Sequence, residues 1–122
     1  MSRSVGTFGL PRTARLRQAN EIQVVFASGQ RVERRAFVLL WVPCHGSGRA
    51  GFTVSRQIRG AVRRNRARRR LREAYRSIGP AGRARGVDAV FIARSWALEA
   101  PLADLRGDME RALGAAGVGA RA

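Results

Sequence analysis

Lysine is absent from this 122-residue chain; all 24 of its basic residues are arginine. Acidic residues are few, eight against 24, and the formal net charge is +16. Cysteine and histidine occur once each, as the neighbours Cys44 and His45. One cysteine excludes a disulfide within the chain, and one Cys-His pair cannot complete a zinc shell. There is no apolar run long enough for a membrane-spanning helix. The opening Met1-Ser2-Arg3-Ser4-Val5-Gly6 lacks the apolar stretch of a signal peptide, so a cytoplasmic protein is expected.

The scarcity extends to catalytic groups. His45 and Ser47 fall in one predicted loop with no acid placed to orient the imidazole. Asp104 and Asp108 read as a solvated helix face, and Glu73 as a partner of Arg69 one turn earlier. Nothing in the chain supplies the base-activated nucleophile, paired carboxylates or metal ligands that a protein-borne active site requires. A free-standing nuclease is therefore disfavoured.

What the chain does contain is arginine in one place. Nine arginines fall in the 18 residues from Arg59 to Arg76, with Glu73 as the lone acid among them. Like charges one turn apart destabilise an isolated helix, so such a density implies an anionic partner lying against it. Guanidinium groups grip phosphate bidentately and stack on bases, which points to nucleic acid, RNA foremost, and away from membrane. The expected RNA-binding arginines are Arg56, Arg63, Arg64, Arg66, Arg68, Arg69, Arg70, Arg72 and Arg76, with Asn65 lying among them.

Apolar residues make up 45% of the chain, enough for one modest core. Asn20 is a suitable cap for a short helix carrying Ile22, Val25 and Phe26 on one face and ending at Ser28-Gly29. Arg31–Arg34 reads as an edge strand and Ala36–Val42 as a strand covered on both faces. Cys44–Gly48 reads as a turn leading to an antiparallel strand over Arg49–Arg56. A long helix spans about Gly60 to Ser77. Its core stripe is Ala67, Leu71, Ala74, Tyr75 and Ile78, and Arg66, Arg69, Arg70 and Arg76 lie opposite. Arg64 and Arg68 border the stripe. Val87–Ala93 is the next strand, and Pro101 opens a last helix lined by Leu102, Leu105, Met109, Ala112, Leu113 and Ala116. Five of the eight acids lie between Asp88 and Glu110, so this part is expected to face away from a polyanion. The order α-β-β-β-α-β-α predicts a single-domain α+β two-layer sandwich with a four-stranded mixed sheet. The ordered domain is expected over about 10–116, with flexible termini at 1–9 and 117–122.

Several blocks together resemble the protein component of bacterial ribonuclease P. They are Leu16 through Glu21, Ile22, Val25, Phe26 and Gly29; Gly51 with Val54-Ser55; Gly60-Ala61-Val62; Arg64-Asn65-Arg66; the run from Arg68 to Arg76; and Ile92-Ala93-Arg94. The resemblance covers about Leu10 to Leu113. It implies a fold like ribosomal protein S5 domain 2, with a left-handed β-α-β crossover where general chain geometry favours a right-handed one. It implies a subunit that docks on a catalytic RNA and binds the single-stranded 5′ leader of precursor tRNA, while Mg²⁺ held mainly by the RNA performs the hydrolysis. The protein itself is expected to be monomeric, with no tightly bound cofactor of its own. The leader cleft would be lined by Ile22, Phe26, Val38, Leu40, Thr53, Ser55 and Ala93, and Asn65 matches a metal-associated position. The family often has an aromatic at the position of Ile22, a Gly-Asn pair where Arg59-Gly60 stands, and a basic residue at Gln57. The alternative is a structural or ribosomal RNA-binding protein, which shares the basic helix but has no leader specificity.

Overall fold

The structure, a computed structural model, describes Val25, residues 29–78 and residues 85–116. Its elements are β1 (Gln30–Glu33), β2 (Phe37–Ser47), β3 (Arg49–Val54), α1 (Ala61–Arg76), β4 (Arg85–Ala93), a 3₁₀ helix (Ser95–Leu98) and α2 (Leu102–Ala115). Of the predicted first helix, Val25 is helical and its carbonyl accepts the Gly29 N–H at 2.7 Å. Ile22 and Phe26 lie outside the described residues.

The four strands form one mixed sheet in the order β1-β2-β4-β3. β1 and β4 each pair antiparallel with β2, and β3 pairs parallel with β4. The expected antiparallel pairing of β2 with β3 is thus wrong, because β4 lies between them. Adjacent parallel strands cannot be joined by a tight turn, and α1 is the crossover that joins β3 to β4.

The expected turn over Cys44–Gly48 is also displaced. β2 continues past Pro43 to Ser47, with a register irregularity between Pro43 and Ser47. Pairing with β1 stops at Trp41, so beyond that point β2 is an edge strand, where a proline lacking its N–H is tolerated.

Strand alternation divides the sheet into two faces. Phe37 and Leu39 of β2, Ala50 and Val54 of β3, and Val87, Ala89, Phe91 and Ala93 of β4 point toward the helices. There they meet Ala67, Leu71, Ala74, Tyr75 and Ile78, the predicted stripe of α1, and Leu105, Met109, Ala112 and Leu113 of α2. Phe91 centres this core: Phe37 meets it edge-on at 5.4 Å and Phe52 stacks on it at 5.6 Å. Tyr75 of α1 closes on Phe52 edge-on at 5.6 Å, locking the helix to the sheet. The opposite face carries a smaller cluster, Val25 with Val38, Leu40 and Val90, flanked by Val42 and Ile92.

α2 continues through Gly114 and Ala115, as far as the predicted lining residue Ala116. Gly114 is helical, and Ala116 is buried with its N–H on the Ala112 carbonyl at 3.0 Å. Small residues here allow close packing against the core rather than fraying.

Candidate nucleic-acid interface

The site is built on α1 and on the turn that launches it. Gly60 precedes the helix with φ 90°, a conformation that side-chain-bearing residues rarely adopt. Gly60 therefore makes the turn into α1, with the exposed Arg59 before it. The turn is held from within by Arg64. Its guanidinium donates to the carbonyls of Ser55 at 3.0 Å, Ile58 at 2.9 Å and Val54 at 3.3 Å. These three carbonyls end β3 and form the connection to α1, so Arg64 acts as a brace across it.

The arginines therefore divide. Arg70, expected on the outward face, instead reaches the 3₁₀ helix and donates to the carbonyls of Ala97, at 2.8 Å, and Ala100. It is half-buried, and it satisfies carbonyls at the end of an element that has few partners of its own. Arg72 is half-buried with its guanidinium 5.9 Å from the Phe52 ring. Arg68 donates to the Asn65 side-chain oxygen at 2.8 Å. Arg56, Arg63, Arg66, Arg69 and Arg76 are exposed. Arg66, Arg69 and Arg76 share one outward stripe with Val62 and Glu73, at spacings i, i+4, i+7, i+11 and i+14 from Val62. Among the described residues no ion pair joins Glu73 to Arg69, so that expectation fails.

Asn65 does not suit a resident metal. Its side-chain oxygen already accepts from the Arg68 guanidinium, and one neutral oxygen beside cations is a poor ligand set for a hard cation. Among the described residues no group of three or more His, Cys, Asp and Glu could hold a metal ion.

The sheet face away from α1 and α2 is where the residues assigned to a leader cleft are expected. Val38, Leu40 and Thr53 are on it. Val38 and Leu40 are 6% and 8% exposed, packed against Val25, so they form a floor rather than an open surface. Thr53 is half-buried, and Ser55 follows at the strand end, its Oγ accepting the Gln57 N–H at 3.1 Å. Ala93 is a correction: it is 0% exposed and packs in the core beneath the helices. Its neighbour Ile92 points to the cleft face instead, half-buried and in register with Val38 on one side and Thr53 on the other. The alternation Asp88, Val90, Ile92 in the strand sequence carries that signal, and matching by motif position passed over it. At the far end of the same face Arg49 and Asp88 pair at 3.1 Å across β3 and β4.

Comparison with known proteins adds the family. Residues 10–117 match the family model described as Ribonuclease P. The chain belongs to the ribonuclease P protein family. The ribonuclease P protein component of Gluconacetobacter diazotrophicus is 39% identical over 109 residues, covering 88% of this chain and 94% of that protein. That of Symbiobacterium thermophilum is 39% identical over 111 residues, covering 89% and 96%. The solved ribonuclease P protein of Staphylococcus aureus superposes with a TM-score of 0.69 at 25% identity, covering 86% of this chain and 96% of that one. The Thermotoga maritima protein gives 0.66 at 25% identity, covering 80% and 96%. The present chain is thus the protein subunit of bacterial ribonuclease P, an endoribonuclease, and its partner is RNA.

Proposed function

We propose that this ribonuclease P protein docks on the catalytic RNA subunit through the outward arginines of α1 and receives the 5′ leader of precursor tRNA on the opposite sheet face. Removal of the leader then matures the tRNA 5′ end. The observation that carries the reading is the division of the arginines. Arg64 and Arg70 build the scaffold, whereas Arg63, Arg66 and Arg69 are exposed and make no ion pair among the described residues. Exposed guanidinium groups on a rigid helix suit phosphate binding.

Hydrolysis would fall to Mg²⁺ ions held mainly by the RNA, which would supply metal-ion chemistry for the cleavage. The protein's own residues bind and orient. On the leader side Thr53 and Ser55 supply hydroxyls beside Ile92, and Ile22 and Phe26 are the apolar residues assigned there from the sequence. Such a mixed surface stacks bases and hydrogen-bonds them without demanding a sequence. The same reading takes the protein to be cytoplasmic and monomeric before it assembles with RNA. Among the described residues no helix is long and apolar enough to cross a membrane.

Reconstitution tests the reading. The isolated protein is expected not to cleave precursor tRNA, and addition of a bacterial ribonuclease P RNA is expected to give cleavage at low Mg²⁺. Turnover by the protein alone would sink the assignment of chemistry to the RNA. Equal binding of precursor and mature tRNA by the reconstituted complex would favour the structural RNA-binding alternative.

A further inference from the structure

Phosphate binding along α1 leaves one residue unexplained. Glu73 is the single acid of the helix, and it sits on the outward stripe among arginines. It lines a cavity of about 330 Å³ between the C-terminal end of α1 and the start of α2. Ala74, Leu102 and Ala103 give that cavity an apolar side, and Arg76 and Arg106 give it positive charge. Leu102 and Val62 are the two large hydrophobic side chains exposed among the described residues, at 38% and 81%. One lies at each end of the arginine stripe. With two guanidinium groups and one carboxylate the groove is net positive. The nearby acids of α2 do not enter it: Asp104 is not among the lining residues, and Asp108 is engaged by Arg34 and Arg111.

We propose that this groove is a subsite for one unpaired nucleotide of an RNA strand lying along the outward face of α1, selective for guanine over uracil. The proposal rests on the reading that this face binds RNA. The volume is at the lower end of ligand pockets, about 300 Å³ upward, and suits one nucleotide. The apolar wall of Leu102 and Ala103 takes the face of the base. Arg76 and Arg106 take the phosphate, for which a guanidinium offers paired donors. Glu73, when ionised, is an acceptor only. It can accept two parallel hydrogen bonds from the N1–H and amino group of guanine, whereas uracil presents one N–H flanked by two carbonyl oxygens that a carboxylate repels.

The test is titration of the ¹⁵N-labelled full chain with guanosine 5′-monophosphate and with uridine 5′-monophosphate, followed by amide shifts. Saturable shifts at Ala74, Ser77 and Ala103 are expected, with the guanine nucleotide tighter by about fivefold or more. Glu73→Gln is expected to erase most of that preference, and Arg106→Ala to weaken both nucleotides alike, with thermal melts confirming that both variants fold. No saturable shift at these residues, or equal affinity for the two nucleotides, overturns the proposal. So does inorganic phosphate reproducing the same shifts at the same affinity, which would mark a phosphate site without base recognition. Binding of a long RNA separates the two readings. If Arg66→Ala weakens it and neither groove variant changes anything, the groove fails and the α1 face stands. If Arg66→Ala leaves it intact, the α1 reading falls and takes the subsite with it.

Discussion

Arg64 and Arg66 are two residues apart, and their guanidinium groups end in different surroundings. Arg64 fills three backbone carbonyls of the β3–α1 connection, and Arg66 is exposed. Arg64→Ala removes the donor from three part-buried carbonyls, and a loss of about 1–3 kcal/mol is expected in denaturant unfolding. The dependence of RNA affinity on salt is expected to keep its slope. Arg66→Ala is expected to do the reverse: unchanged unfolding, and a salt slope smaller by about 0.7–0.9 because one phosphate is no longer neutralised. Filter binding across a salt series separates the two, and a reduced slope in Arg64→Ala would show that its guanidinium reaches RNA after all. Gly29 is a second point of close approach. A Cβ there would collide with the Val25 carbonyl oxygen and lie 3.1 Å and 3.3 Å from the Trp41 backbone oxygen and nitrogen. Gly29→Ala is expected to destabilise the fold by about 2 kcal/mol, read from the unfolding midpoint. Wild-type stability in this variant would mean that the backbone at Val25 or Trp41 yields without cost.

At the scale of elements, the two helices are fastened to the sheet by different means. α1 is locked by aromatic packing around Phe91 and by Arg70, which ties it to the 3₁₀ helix. α2 is fastened by Met109 and Leu113 in the core and by one ion-pair node. Asp108 accepts from Arg34, in the β1–β2 connection, at 2.7 Å and from Arg111, one turn along α2, at 3.1 Å. Burial pushes the Asp108 carboxyl up, but the hydrogen bonds and charges of Arg34 and Arg111 outweigh it and hold the pKa below its ordinary 3.8. A depressed folded-state pKa contributes stability that is fully present above the unfolded value. That contribution fades as pH falls through the lower folded one. Asp108→Asn is therefore expected to cost about 1 kcal/mol at neutral pH and to converge on wild type in acid below pH 3.8. Thermal melts from pH 7 downward check this; a gap that persists unchanged in acid would show that packing, not charge, is what the substitution disturbs.

For the whole molecule, a net charge of +16 on one small domain is a standing repulsion that a polyanion relieves. A ligand that binds the folded state alone raises the melting temperature. A short RNA added at about 50 mM salt is expected to raise it, and the rise is expected to shrink steeply toward about 200 mM as released counterions lose their advantage. A rise that ignores salt would mean that apolar packing dominates binding. The acids do not oppose this field evenly. Asp88 is engaged by Arg49 of the neighbouring strand and Asp108 by Arg34 of the β1–β2 connection, so two of the eight acids are used to hold the fold.

Local chemistry was legible in the sequence. Periodicity set out the core stripe of α1 from Ala67 to Ile78, and the arginine density marked the same helix as the polyanion face. The motifs around Gly51, Val54-Ser55 and Arg64-Asn65-Arg66 pointed to the family. Position in three dimensions was not legible. Consecutive strands suggest a hairpin, and only the assembled sheet puts β4 between β2 and β3. Motif matching put Ala93 in the cleft, and only the pairing of β4 with both neighbours turns it into the core and Ile92 outward. Likewise a row of arginines looks uniform along a chain. Which guanidinium meets a carbonyl and which meets solvent depends on elements distant in sequence, such as Ala97 and Ala100 beside Arg70. Sequence carries periods and charge, which are local quantities; pairing, burial and the supply of hydrogen-bond partners are decided by neighbours that meet only once the chain has closed on itself.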